Sequence, residues 1–169
     1  MSLVVRRIRP DEGLALRRLR LQALADSPSA FGSTLAREAA FPDQVWHERA
    51  AGGAAGVDRA TFVAVDGARW RGLATGLAQD PDLPQHGPLL VGMFVDPTAR
   101  RRGIGVLLVD AVVGWARAHA ASRLSLWVTS TNESALALYT RCGFFPTGLT
   151  RPREGAPAIV ELSMARELS

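Results

Sequence analysis

One segment limits the possible folds more than any other. Residues 88–95 form a short apolar run of strand length, and a short turn follows. Arg100-x-x-Gly103-x-Gly105 then leads straight into a stretch where Ile104, Leu107, Leu108, Ala111, Val112 and Trp115 recur at i, i+3, i+4, i+7, i+8 and i+11. That spacing places all six on one face of a long helix. Residues 124–128 supply the next short apolar strand. Strand, tight turn, amphipathic helix and strand make a βαβ unit, so part of any sheet here is parallel.

The rest of the chain reads differently. Residues 3–8 alternate weakly and are rich in Val, which predicts a strand. A helix is expected from Pro10 to about residue 26, with Asp11 and Glu12 in its first turn and Leu14, Leu19, Leu21 and Leu24 as its apolar residues. A shorter helix is expected over 43–50, and the Gly- and Ala-rich residues 51–56 read as a loop. Asp66-Gly67 is a hairpin signal between strands at 61–65 and 70–77. Ala135, Leu138, Tyr139 and Cys142 form a second helical stripe, ended by Gly143. Strands at 144–149 and 158–164 complete the order β-α-α-β-β-β-α-β-α-β-β. Hairpins in the first half and a βαβ unit in the second imply a mixed sheet.

Composition removes several classes of protein. With 169 residues the chain suits one domain, 1–169. No apolar run reaches the roughly 20 residues of a membrane span, and the first residues do not read as a secretory signal, so a cytoplasmic protein is expected. The one cysteine, Cys142, cannot form an internal disulfide or a Cys-rich zinc site, and His47, His86 and His119 are scattered, so no metal is expected. All 20 basic residues are arginine, and the net charge of +4 suits an anionic ligand or nucleic acid. The arginines cluster at 100–102 and do not interleave with exposed aromatics, which argues against nucleic acid.

The chemistry of residues 100–106 is that of an anion site. A helix start has unpaired N–H groups and the positive end of the helix dipole. Gly103 and Gly105 allow a phosphate to approach the backbone, and Arg100, Arg101 and Arg102 add charge. The Gly-Lys-Ser/Thr of a Walker loop is missing. Leu108 stands where a Gly-x-Gly-x-x-Gly dinucleotide loop needs its third glycine.

Arg100 to Gly105 resembles the coenzyme A pyrophosphate loop of the GCN5-related N-acetyltransferase (GNAT) superfamily. Asn132-Glu133-Ser134-Ala135-Leu136-Ala137-Leu138-Tyr139, followed by Cys142-Gly143-Phe144, resembles its second motif. The resemblance implies an α/β (α+β) fold. Its central sheet would be mixed and mostly antiparallel, with about seven strands, about four flanking helices, and parallel strands 4 and 5 splayed apart. It also implies an enzyme that moves an acetyl group from acetyl-CoA directly to an amine, with no metal. The alternative is an acyl-CoA sensor or an inactive module of the same fold.

Position by position, the resemblance implies that backbone groups of Met93 and Val95 pair with the pantetheine arm. An N–H freed by a bulge near Met93 or Phe94 would face the thioester oxygen. Backbone N–H groups of Arg101, Arg102, Gly103, Ile104, Gly105 and Val106 would hold the pyrophosphate with Arg100 assisting. Asn132 would face the coenzyme or cap its helix, or both. Tyr139 would be the general acid, its alternative being a core residue. Glu38, Asp80, Asp82, His86 and Glu161 are candidates for the base. The acceptor, a small-molecule or peptide amine, would sit among the first two helices, the 51–56 loop and the 80–87 loop, with Phe41, Trp46 and Trp70 as lining or core. A monomer or homodimer is expected.

Overall fold

The structure is a computed structural model and describes residues 2–168. The chain runs β1 (Leu3–Arg7), α1 (Gly13–Asp26), α2 (Leu35–Ala39), α3 (Asp43–Ala55), β2 (Arg59–Asp66), β3 (Arg69–Leu77) and β4 (Leu89–Val95). It continues as α4 (Ile104–Ala118), β5 (Arg123–Thr129), α5 (Glu133–Arg141), β6 (Phe145–Arg153) and β7 (Ala156–Glu167). The strands form one sheet in the order β1-β2-β3-β4-β5-β7-β6. Only β4 and β5 pair in parallel; the other neighbours are antiparallel. The mixed seven-stranded sheet with its parallel pair is the expected one, and the order of the longer elements holds.

Successive side chains on a strand point to opposite faces, so the sheet carries two cores. On one face Phe62, Ala64 and Ala74 pack against Ile104, Leu108, Val109 and Val112 of α4. On the other, Val63, Leu73 and Phe94 pack against Leu16, Leu19 and Ala23 of α1 and Trp46 and Ala50 of α3. The helical stripe of α4 is offset by one position from its expected line. Val109, Val113 and Ala116 are buried, while Leu107 is exposed.

Two departures lie on the α1/α3 face. The helix expected over 43–50 runs on to Ala55 and absorbs the Gly-Ala stretch. Gly53 serves there as a close-approach residue: a Cβ would lie 2.7 Å from Thr61 Oγ1 and 3.2 Å from an Ile8 methyl. Only at Gly56, with φ of +70°, does the chain turn out of the helix. The short α2, capped by Thr34 accepting from the Arg37 N–H, lies in a stretch given no element from sequence.

Candidate active site

β4 changes partners along its length. Leu89 and Leu90 pair with Ser125 and Leu126 of β5, and no further pair joins these strands among the described residues. On its other side β4 stays with β3, but Thr75 pairs with Val91 and Leu73 with Phe94. β3 advances two residues there while β4 advances three, so β4 holds a one-residue bulge. Gly92, with φ of +65°, supplies the conformation.

The bulge reverses the strand's alternation. Before it, the Pro88 carbonyl accepts from Ser125 N (3.1 Å), so even-numbered residues turn their backbone groups toward β5. After it, Asp96 N donates to Arg71 O (2.7 Å), so even-numbered residues face β3. Met93 and Val95 therefore turn their backbone groups into the gap left by β5. Phe94 pairs with Leu73 on the β3 side, which narrows the expected free donor from Met93 or Phe94 to Met93. The Val95 carbonyl is taken by Arg100 Nε at 3.0 Å.

The loop after β4 is shaped by its own bonds. Asp96 Oδ1 accepts from Thr98 N (3.0 Å) and Thr98 Oγ1 (2.9 Å). Burial raises the Asp96 carboxyl pKa, but these donors and the Arg71 charge outweigh it and hold the group below its ordinary value. Arg101 and Gly103 both have positive φ, +66° and +78°, curling the backbone into a concavity. Gly103 caps α4 with no side-chain bond, so the N–H groups of Ile104, Gly105 and Val106 are without intrahelical partners.

The three arginines divide their work. Arg100 Nη2 meets Asp26 at 2.9 Å, and Arg102 Nη1 meets Asp66 at 3.3 Å. Arg101 is exposed and has no ion-pair partner among the described residues. Gly105 has a purpose beyond phosphate access: a Cβ there would stand 3.0 Å from Leu138 Cδ2, so its absence lets α5 pack on α4.

α5 carries the second motif. The Asn132 side chain accepts from Ala135 N at 3.2 Å and caps the helix. Tyr139 is buried, edge-on to Phe144 with centroids 5.9 Å apart. Burial raises its pKa well above the ordinary phenol value, so it carries its proton at any working pH. Burial also raises the Cys142 thiol, which leaves it an inert packing residue.

A cavity of about 530 Å³ opens on the α1/α3 face beside Val91 and Gly92. Trp46 lines it, while Phe41 and Trp70 pack against the core nearby, and residues 51–56 take no part. The β6–β7 hairpin adds Arg151 to Glu154 and the candidate base Glu161, and β5 adds Trp127; of these only Glu161 was singled out from sequence. Arg151 stacks on Trp127 at 4.1 Å from the ring centroid and binds Asp82 (3.1 Å) and Glu161 (2.9 Å). Buried Asp80 accepts from Asp82 N and Leu83 N at Oδ1 and from Trp127 Nε1 at Oδ2 (3.2 Å).

The candidate bases separate on this geometry. Asp80, Asp82 and Glu161 line the cavity; His86 does not. Glu38 is buried and gripped by two arginines. Burial alone would raise its pKa, but the bonds and charge of Arg20 and the bond from Arg49 bring it down to about 2, too low for a base near neutral pH. Among the described residues, no group of three or more His, Cys, Asp or Glu could hold a metal, and no helix is long and apolar enough to cross a membrane.

A splayed parallel pair beside an uncapped helix start is the layout of an acyl-CoA-dependent transferase fold. Residues 22–144 match the profile of the Acetyltransferase (GNAT) family, and the chain belongs to that family. It is 34% identical over 127 residues to the mycothiol acetyltransferase of Salinispora arenicola, an alignment covering 75% of this chain and 39% of that protein. The chain spans 23 to 39% of the length of the curated relatives it matches. In fold it is similar to a GNAT acetyltransferase from Streptococcus pneumoniae (TM-score 0.83, 19% identity, 99% of this chain and 100% of that chain). It is also similar to yncA of Salmonella typhimurium, solved with its cofactor acetyl-CoA (TM-score 0.78, 15% identity, 100% and 95%).

Proposed function

We propose that this protein transfers an acetyl group from acetyl-CoA directly to an amine. The observation that carries the reading is the phase reversal at Gly92, which turns Met93 and Val95 toward an open gap near the uncapped start of α4. The pantetheine arm pairs with Met93 and the Val95 N–H as an added strand would. The pyrophosphate sits on backbone N–H groups from Arg101 to Val106, with the unpaired Arg101 as its nearest free cation. Arg100 acts indirectly, by holding the loop to Asp26 and Val95. Asn132 fixes the start of α5, and with it the position of Tyr139.

In this mechanism a neutral amine attacks the thioester carbon. The N–C bond forms while the Met93 N–H meets the oxygen that gains charge. The C–S bond then breaks. Tyr139 donates a hydrogen bond to the departing thiolate, and the proton arrives from the phenol or from solvent through it. The amine's surplus proton leaves by way of Asp80 or Glu161. An alkylamine near pKa 10.4 is only about one part in a thousand neutral at pH 7, so such a relay raises the reactive fraction.

Tyr139→Phe tests the reading. The ring and its packing on Phe144 stay, and kcat should fall by roughly tenfold to a thousandfold with KM for acetyl-CoA little changed. A Phe variant with wild-type kcat would demote Tyr139 to packing alone.

A further inference from the structure

The charges lining the cavity are sorted by side. Arg20 and Arg49 share Glu38, and Arg59 has no carboxylate within ion-pair distance among the described residues. Three guanidinium groups against Glu38 and the more distant Asp58 leave this end net positive. The Arg59 stem lies over Gly52 of α3, and burial together with the neighbouring Arg49 charge lowers its pKa against the opposing pull of Asp58. Trp46, in the same wall, has a buried indole N–H with no acceptor among the described residues. The opposite end is acidic. Asp80, Asp82, Glu154 and Glu161 outnumber Arg151 and Arg153 there.

The sheet face gives the scale. Arg59, Thr61, Thr75, Val91, Trp127 and Glu161 all line the cavity, from β2 across to β7. Trp127 is the first β5 residue past the last pair with β4, so Asp80, bonded to its indole, sits at the mouth of the gap. Arg59 lies two strands from Val91 and two residues along from the row Thr61, Thr75 and Val91. At about 4.8 Å per strand and 3.3 Å per residue, their Cα atoms are about 12 Å apart. An extended arginine side chain covers roughly half of that span, leaving room for one small molecule between guanidinium and thioester.

We infer that the acceptor is a small zwitterion, a primary amine bearing a carboxylate, bound with its amine toward Asp80 and Glu161 and its carboxylate toward Arg49 and Arg59. The inference rests on the acetyl-transfer reading. The paired field selects for the two opposite charges together and repels polyamines, whose second cation would face Arg59.

The experiment follows free CoA thiol release from acetyl-CoA with a series of L-amino acids, their decarboxylated amines and 1,4-diaminobutane. The best amino acid should exceed its decarboxylated amine in kcat/KM by roughly ten- to hundredfold, the size expected for bonds to a charged group. Arg59→Met keeps the stem over Gly52. It should raise KM for the amino acid by a similar factor, while KM for acetyl-CoA, which binds on the far side of the gap, stays within about twofold. Decarboxylated amines or diamines used as well as the amino acid would overturn the inference and leave acetyl transfer standing. So would a preference for peptides over free amino acids. No CoA release with any amine would refute acetyl transfer and this inference together.

Discussion

Glu38→Gln removes one charge and almost no volume from a buried site, so its effect can be worked from the ion pairs. Glu38 is 2% exposed; Arg20 binds it at 3.1 and 3.0 Å, and Arg49 at 2.9 Å. Its pKa falls from 4.5 to about 2. At 1.36 kcal/mol per unit, the folded state gains about 3 kcal/mol from keeping this group ionised. Because the folded pKa is the lower one, that gain is complete above about pH 4.5 and drains away as the pH falls toward 2. At pH 7 the Gln variant should lose about 3 kcal/mol, or about 6 to 12 °C in Tm for a chain of this size. The assay is urea unfolding of both proteins from pH 7 to pH 3, with the difference in stability plotted against pH. The gap should close steadily below pH 4.5. A gap that stays constant with pH, or no gap at pH 7, would refute the view that charge pairing at Glu38 holds α2 onto α1 and α3.

Acetyl-CoA at a hundred times its Kd should stabilise the protein by about 3 kcal/mol, read as a rise in Tm; no shift at millimolar ligand would count against the coenzyme site. Gly103→Val puts a branched residue at φ of +78°, so it should cost about 1–2 kcal/mol and weaken CoA binding measured by calorimetry. Gly105→Val should act differently: the new side chain presses on Leu138, shifts α5 and Tyr139, and lowers kcat more than the Gly103 variant does. Asn132→Ala should cost about 1 kcal/mol in urea unfolding through loss of the α5 cap.

The βαβ half was legible because its signals are local. The stripe from Ile104 to Trp115 and the Arg-x-x-Gly-x-Gly entry lie within one helix and its first turn. The α1/α3 face was harder. Gly52 and Gly53 read as loop residues, since the reason for a glycine at 53 is Thr61 on a strand not yet formed. α2 is five residues long and held by Arg20 and Arg49 from other helices, so its own sequence carries little signal. Trp127, Arg151 and Glu161 meet only because β7 inserts between β5 and β6, a pairing that no local pattern encodes. The acceptor side was therefore written mostly in long-range contacts, and the coenzyme side mostly in neighbours along the chain.

The bulge at Gly92 gives β4 a parity, and parity responds to length rather than to chemistry. Many substitutions at 93 or 95 would leave the direction of their N–H groups untouched. Deleting one residue from 92–93 would remove the bulge: Phe94 would still meet Leu73, and the gap would lose the one extra residue that β4 carries between that pair and the Val91–Thr75 pair. Relatives sharing this site should thus tolerate varied side chains here while avoiding single-residue insertions and deletions. In a deep mutational scan, this short segment should stand out as more sensitive to indels than to replacement.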